Sequence, residues 1–154
     1  MGDKQLRQVH LAMTDAERDR FLADELTCRV ATVNPALEPH ITPMWFVWDG
    51  ASIWLYSQTR SRRWSDLRTN PLLAVVVDAG MTRSELRGVE LTGIGALVGE
   101  QPRIGEVHPE LVAIEDEYAM KYLSPPTFQY DGRHAWLRVS VRKIVSWDFR
   151  KRRP

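Results

Sequence analysis

Two β-prone runs stand either side of Asp49-Gly50: residues 41–48 (Ile-Thr-Pro-Met-Trp-Phe-Val-Trp) and residues 52–57 (Ser-Ile-Trp-Leu-Tyr-Ser). This arrangement constrains the fold more than any other stretch of the chain. Glycine tolerates the left-handed backbone of a tight turn, so the runs are expected to pair as an antiparallel hairpin. Pro43 has no N–H to give to a ladder. That puts the first run at an edge or a bulge and leaves neighbouring backbone free for a ligand.

The remaining apolar runs extend the same pattern. Residues 29–33 (Arg-Val-Ala-Thr-Val) read as a strand stopped by Asn34-Pro35, and the next strand begins near His40. Residues 72–77 (Leu-Leu-Ala-Val-Val-Val) predict a central strand buried on both faces. Residues 89–98 alternate loosely, and the glycines within them predict bends or close backbone approach. Residues 134–141 and 143–149 are expected as two final strands, ahead of a basic tail from Arg150 to Arg153.

Three short helices are expected between and before these strands. Thr14 and Glu17 form a capping-box pair that opens a helix over residues 15–26, with Phe21, Leu22 and Leu26 on its apolar side. Ser61 is an N-cap for an Arg-rich helix that Asn70-Pro71 stops. Pro109 opens a helix over residues 109–123, where Leu111, Ile114, Tyr118 and Tyr122 recur at helical spacing. Many strands with few helices favour a mainly β fold, an antiparallel barrel with peripheral helices; a doubly wound fold would need helices alternating with strands throughout.

The junction between residue 57 and the Arg-rich helix is suited to an anion. The first turn after Ser61 has free backbone N–H groups and partial positive charge, and Arg60, Arg62 and Arg63 crowd it. Asp66 is the only acid nearby to neutralise them, so the alternative of a merely solvated basic face is disfavoured.

Elsewhere the composition mostly excludes. A length of 154 residues fits one domain over 1–154, with flexible ends expected at about 1–13 and 150–154. The net charge of +1 argues against nucleic acid as a partner. Cys28 stands alone, which excludes an intrachain disulfide and predicts a small buried thiol. His10, His40, His108 and His134 lack metal-ligand spacing, so no metal is expected. Glu115-Asp-Glu117 reads as a solvated helix face, and the glycines of residues 93–99 lack dinucleotide-fingerprint spacing. Without an exporting segment or a membrane-length apolar run, the expected setting is cytoplasmic.

Taken together, residues 39–50, Ser61-Arg62-Arg63 with residues 66–71, and residues 87–93 (Arg-Gly-Val-Glu-Leu-Thr-Gly) resemble the pyridoxamine 5′-phosphate oxidase-like flavoproteins. The closing residues 146–151 (Ser-Trp-Asp-Phe-Arg-Lys) resemble the actinobacterial branch that uses the deazaflavin coenzyme F420 in place of FMN. The likeness spans about residues 14–151, with Arg63 where the family usually has Lys, a change that keeps charge but alters its geometry. It implies a split β-barrel of the FMN-binding-protein type and a homodimer with cofactor between subunits. It further implies that Ser61, Arg62 and Arg63, with Ser57 and Thr59 nearby, hold the cofactor phosphate. The backbone of Thr42, Pro43, Met44 and Trp45 would lie along the ring, and Trp147 and Arg150 would complete the partner's pocket.

The implied activity is transfer of hydride from F420 to an unsaturated small molecule. FMN is the alternative, and no catalytic side chain is expected because the cofactor ring supplies the reaction. Arg60, Arg83, Arg87 and Lys121 could extend the positive field toward the longer anionic tail of F420. Alternation places Trp45 and Trp48 on opposite faces, so only one could stack on a ring. A non-catalytic module for flavin or haem, with His40 or His134 on iron, is the rival reading.

Overall fold

The computed structural model describes Gln5 and residues 8–152. Its helices are α1 (Asp15–Asp24), α2 (Arg62–Thr69) and α3 (Pro109–Tyr122). Its strands are β1 (Cys28–Val33), β2 (Pro39–Met44), β3 (Val47–Trp48), β4 (Ser52–Gln58), β5 (Leu72–Ala79), β6 (Arg87–Val98) and β7 (His134–Asp148). All seven lie in one antiparallel sheet in the order β2-β1-β5-β6-β7-β4-β3.

The expected single strand over residues 41–48 is two strands. Met44 ends β2 at one edge of the sheet, and Val47 begins β3 at the other. Three residue steps span at most about 11 Å. The sheet must therefore curl until its two edges meet near Trp45 and Phe46, which makes the half-barrel of the split-barrel fold. Pro43 sits on the edge strand as expected, opposite Arg29. The Asp49-Gly50 hairpin forms too: Asp49 Oδ1 accepts from the amides of Ala51 and Ser52 at 2.8 and 2.7 Å, while Gly50 has φ 93°.

Other boundaries shift for physical reasons. Helix α1 ends at Asp24 rather than near residue 26, and Leu26 is exposed. Strand β5 alternates, burying Leu73, Val75 and Val77 on one face only, because no layer covers Leu72 on the other. The two strands expected at the end are one continuous β7. The register slips between Thr92 and Gly93, which pair with Lys143 and Val141, so Arg142 bulges out where a break was expected. Gly93 lies under this bulge, where a Cβ would come within 2.4 Å of the Ser140 carbonyl oxygen.

Inside the curl, α1 and α2 pack Phe21, Leu22, Trp64 and Leu67 against Val30, Val75, Leu91 and Leu137. A second cluster joins α3 through Leu111, Ile114 and Tyr118 to Trp54 and Trp136. Of the ends expected to be flexible, residues 1–4, 6, 7, 153 and 154 lie outside the described residues. The others are tied down: Leu11 is buried, Gln5 exchanges hydrogen bonds with the Ser146 backbone, and Lys151 donates to the Ala12 carbonyl and pairs with Glu17.

Candidate functional site

Arg63 is the centre of the site. It sits at the second position of α2, is only 7 % exposed, and turns inward beneath the edge strand β2. Its Nε and Nη2 donate to Ser57 Oγ at 3.3 and 3.0 Å, and Nη1 donates to Thr42 Oγ1. Of the five N–H donors on a guanidinium, three are thus used and two are left. Among the described residues no carboxylate pairs with it, and burial pushes its pKa down. Asp66, the nearby acid, is buried as well, but its carboxylate is taken by Thr32, from which it accepts at 2.7 Å.

A cation desolvated against neutral hydroxyls is costly unless an anion completes it. Around it the helix start is prepared for one. Ser61 Oγ caps α2 by accepting from Trp64 N–H at 3.2 Å, which fixes the first turn while the Arg62 and Arg63 amides stay unspent.

Arg63 and Ser61 form the polar end of a hollow of about 490 Å³, which Pro43, Met44 and Trp45 border. A second hollow of about 490 Å³ adjoins it, lined by Pro125, Phe128 and Asp131. Trp45, Tyr56, Tyr118 and His134 border both, so the two make one cleft, cationic at one end and aromatic at the other. Trp45 is 48 % exposed and stacks on Tyr122 with centroids 4.6 Å apart. Trp48, by contrast, is buried and donates to Asp19 at 3.0 Å; the two rings do face different ways, though Trp45 lies in the break between β2 and β3 and not on one alternating strand with Trp48.

The break between β2 and β3, which aims Trp45 into the cleft, is pinned from α3. Tyr122 Oη accepts from Phe46 N–H at 3.0 Å, and Lys121 Nζ donates to the Leu22 and Phe46 carbonyls at 3.2 and 3.3 Å. Lys121 is therefore a brace rather than part of an extended positive field, and burial lowers its pKa. Arg87 is similarly committed, to Glu25 and the face of Phe21.

Of the residues expected at the site, Thr42, Pro43, Met44, Trp45, Ser57, Ser61 and Arg63 come together here. Three groups do not. Arg62 points outward to Glu38 at 3.6 Å, because successive helical side chains diverge by about 100°. Thr59 spends its amide and hydroxyl on the Arg133 carbonyl. Trp147 and Arg150 lie at the opposite end of β7, Trp147 against Gly88 and Arg150 clamped by Asp148.

Two wall residues escaped sequence reasoning. Tyr56 lines the cleft, and its buried hydroxyl lacks a partner among the described residues. His134 has no metal-ligand spacing, but its Nδ1 lies 2.5 Å from Asp131 Oδ2. The Asp-x-x-His spacing at a strand entrance was the available signal. Glu115 is a correction: it is buried, and it accepts from Arg103, Tyr130 and Trp136 instead of facing solvent. Cys28 is buried, with burial raising its thiol pKa to about 12.

Among the described residues no helix is long and apolar enough to cross a membrane, and no cluster of His, Cys, Asp or Glu is placed to hold a metal ion. A sequence comparison with curated proteins finds no match. Among solved structures, a conserved hypothetical protein of Mycobacterium tuberculosis, Rv2991, is 27 % identical, with a TM-score of 0.78 over 96 % of this chain and 92 % of that one. An FAD-binding protein of Mesorhizobium loti is 16 % identical, with a TM-score of 0.67 over 88 % and 93 %. A structure described as F420 reductase is 20 % identical, with a TM-score of 0.57 over 82 % and 94 %.

The sequence model described as Pyridoxamine 5′-phosphate oxidase matches residues 14–148, a span that runs from the N-cap of α1 to the last residue of β7 and holds the whole cleft. With the curled seven-stranded sheet beneath it, that match establishes that the chain belongs to the pyridoxamine 5′-phosphate oxidase family.

Proposed function

We propose that the chain is an oxidoreductase that holds a phosphate-bearing, flavin-type cofactor in this cleft, coenzyme F420 first and FMN as the alternative. The observation that supports it is Arg63, a buried guanidinium with two donors to spare and no counter-charge. A phosphate at the start of α2 would satisfy those donors together with the Arg62 and Arg63 amides. The rings of Trp45, Tyr56 and Tyr118 would then border a planar group reaching away from the phosphate.

When bound, such a cofactor supplies hydride to an unsaturated acceptor. The residues do the rest: Ser57 and Thr42 aim the guanidinium, Ser61 fixes the helix start, and the β2 edge beside Pro43 leaves backbone free along the ring. The choice of F420 leans on the likeness to the structure described as F420 reductase and on exposed Arg60 beside the cleft.

The protein is read as a cytoplasmic homodimer. A mostly apolar hollow of about 490 Å³ on the outer sheet face, at Ala31, Leu72 and Ala74, supports a second copy there. Arg150, beside Arg83 and Arg152 in a separate hollow, would lie toward the partner's cleft, with Trp147 nearby.

Titrating the purified protein with FMN and with F420 while following fluorescence tests the reading. Quenching by F420, abolished in Arg63→Glu, is the expected result. Quenching by FMN alone reverses the order of the two, and quenching by neither overturns the assignment.

A further inference from the structure

His134 opens β7 immediately after a turn built around Asp131. Asp131 Oδ1 accepts from the Arg133 and His134 amides at 2.9 and 3.1 Å, and Oδ2 lies 2.5 Å from His134 Nδ1. A carboxylate in that position takes the Nδ1 proton as its hydrogen-bond donor and so sets the tautomer. The imidazole also stacks on Tyr56, with centroids 5.0 Å apart and planes 25° apart. Its orientation is thus fixed from two directions. The ring borders both hollows, and among the described residues nothing hydrogen-bonds Nε2, which is not enclosed.

We propose that His134, positioned by Asp131, delivers from Nε2 the proton that hydride reduction of the acceptor requires. This rests on the oxidoreductase reading above and adds to it a protein residue with a task. An unsaturated bond that takes two electrons as hydride at one atom needs a proton at the other. The Nε2–H bond breaks as the new bond to the acceptor forms, and the imidazolium becomes neutral imidazole with Nδ1–H still on Asp131. A proton from solvent then restores Nε2. Hydride comes from the reduced flavin-type cofactor, so electrons and protons balance.

Burial works against ionised Asp131, but the Arg133 amide, the His134 ring and the His134 amide hold its carboxyl below the usual range. The other charged or titratable groups around the ring are Arg133 from the same turn, Tyr56 beneath it, Tyr118 and Arg63 across the cleft, and Glu115 with Arg103 behind Trp136. Among the described residues none of these bonds the imidazole; Asp131 alone does.

Two variants and three measurements decide the matter. FMN and F420 should still bind His134→Gln and Asp131→Asn, since neither residue supplies a donor to the phosphate. Nitrogen-15 NMR of the histidine rings should show His134 protonated at Nδ1, with the Nε2 resonance moving when cofactor is added. Turnover of a cyclic enone or quinone by His134→Gln should fall about 100-fold or more and lose its alkaline limb, the range general acid catalysis supplies. Asp131→Asn should shift that limb.

A proton found on Nε2 instead of Nδ1 in the neutral ring, or an unchanged pH profile in His134→Gln, overturns the proposal while leaving the cofactor assignment intact. Binding of neither cofactor overturns both. If no acceptor is reduced, the NMR titration decides: an Nε2 resonance indifferent to bound cofactor overturns the proposal, and a shifted one supports it.

Discussion

Two arginines are nearly buried among the described residues, Arg63 at 7 % exposure and Arg103 at 3 %, and their surroundings are opposite. Arg103 donates to Glu115 at 2.6 Å, to Glu100 and to the Glu106 carbonyl, and the Glu115 and Glu100 carboxylates raise its pKa against the opposing effect of burial. Glu115 in turn accepts from Tyr130 and Trp136 at 3.0 and 3.1 Å, so α3, β7 and the segment between β6 and α3 meet at one paired, hydrogen-bonded knot. Arg63 has only hydroxyls for partners, and burial lowers its pKa. The folded chain is electrostatically complete at Arg103 and incomplete at Arg63. A buried cation without an anion marks the place where a ligand belongs, whereas a paired one marks a fastening.

The largest effect should come from breaking the fastening. Arg103→Met strips Glu115 of its countercharge inside the core and is expected to cost about 3–5 kcal/mol, the range for a buried pair that loses one member. For a chain of this size that lowers Tm by roughly 6–20 °C, which circular dichroism would read. Arg63→Met should leave the ligand-free protein within about 1 kcal/mol of wild type, because relief of a desolvated charge offsets the lost hydrogen bonds. Equal losses from both variants would break the comparison.

The two arginines also differ in how far the sequence revealed them. Arg63 was legible because a β-run, a capping Ser and clustered arginines stand within a few residues of each other. Local patterns of that kind survive folding. The Arg103 knot was missed because its members run from Glu100 to Trp136, across a loop, a helix and a strand, and Glu115 beside Asp116 and Glu117 looked like a wet helix face. One hint existed: Glu115 shares the stripe of Leu111, Tyr118 and Tyr122, and an acid on a buried stripe needs a partner. The split of residues 41–48 was hidden for another reason. Which edges Met44 and Val47 join depends on closure of the whole sheet, which no window of sequence encodes.

Acid should loosen the fastening in a way it cannot loosen the Arg63 site, which contains no carboxylate. Burial opposes ionisation of Glu100, but its own amide, the Glu106 amide, Arg103 and the Ile104 amide together bring its pKa to about 2 from an ordinary 4.5. A carboxyl depressed in the folded state stabilises fully above its unfolded value and loses that contribution as pH falls through the folded one. Urea unfolding should therefore show stability draining between about pH 4.5 and pH 2, with a flatter profile in Glu100→Gln. An unchanged slope in the variant would detach Glu100 from the knot.

Ligand supply sharpens the other side. Cofactor at about 100 times its dissociation constant should stabilise wild type by about 2.7 kcal/mol and leave Arg63→Met unmoved. Differential scanning fluorimetry with and without FMN or F420 measures this directly. A rise in Tm of the same size in Arg63→Met would place the anion elsewhere.

The smallest effect tests aim rather than charge. Thr42→Val keeps the shape and the strand preference of the edge residue but removes the hydroxyl that accepts from Arg63 Nη1. The guanidinium keeps Ser57 as its second support, at 3.0 Å from Nη2, so it stays in the cleft but swings more freely. The lost hydrogen bond is worth about 1 kcal/mol, which corresponds to roughly 5-fold weaker cofactor binding. Because the desolvated charge is untouched, Tm of the ligand-free protein should hardly change. Five-fold weaker binding at constant Tm would show that β2 orients the cation, and unchanged binding would leave that role to Ser57 alone.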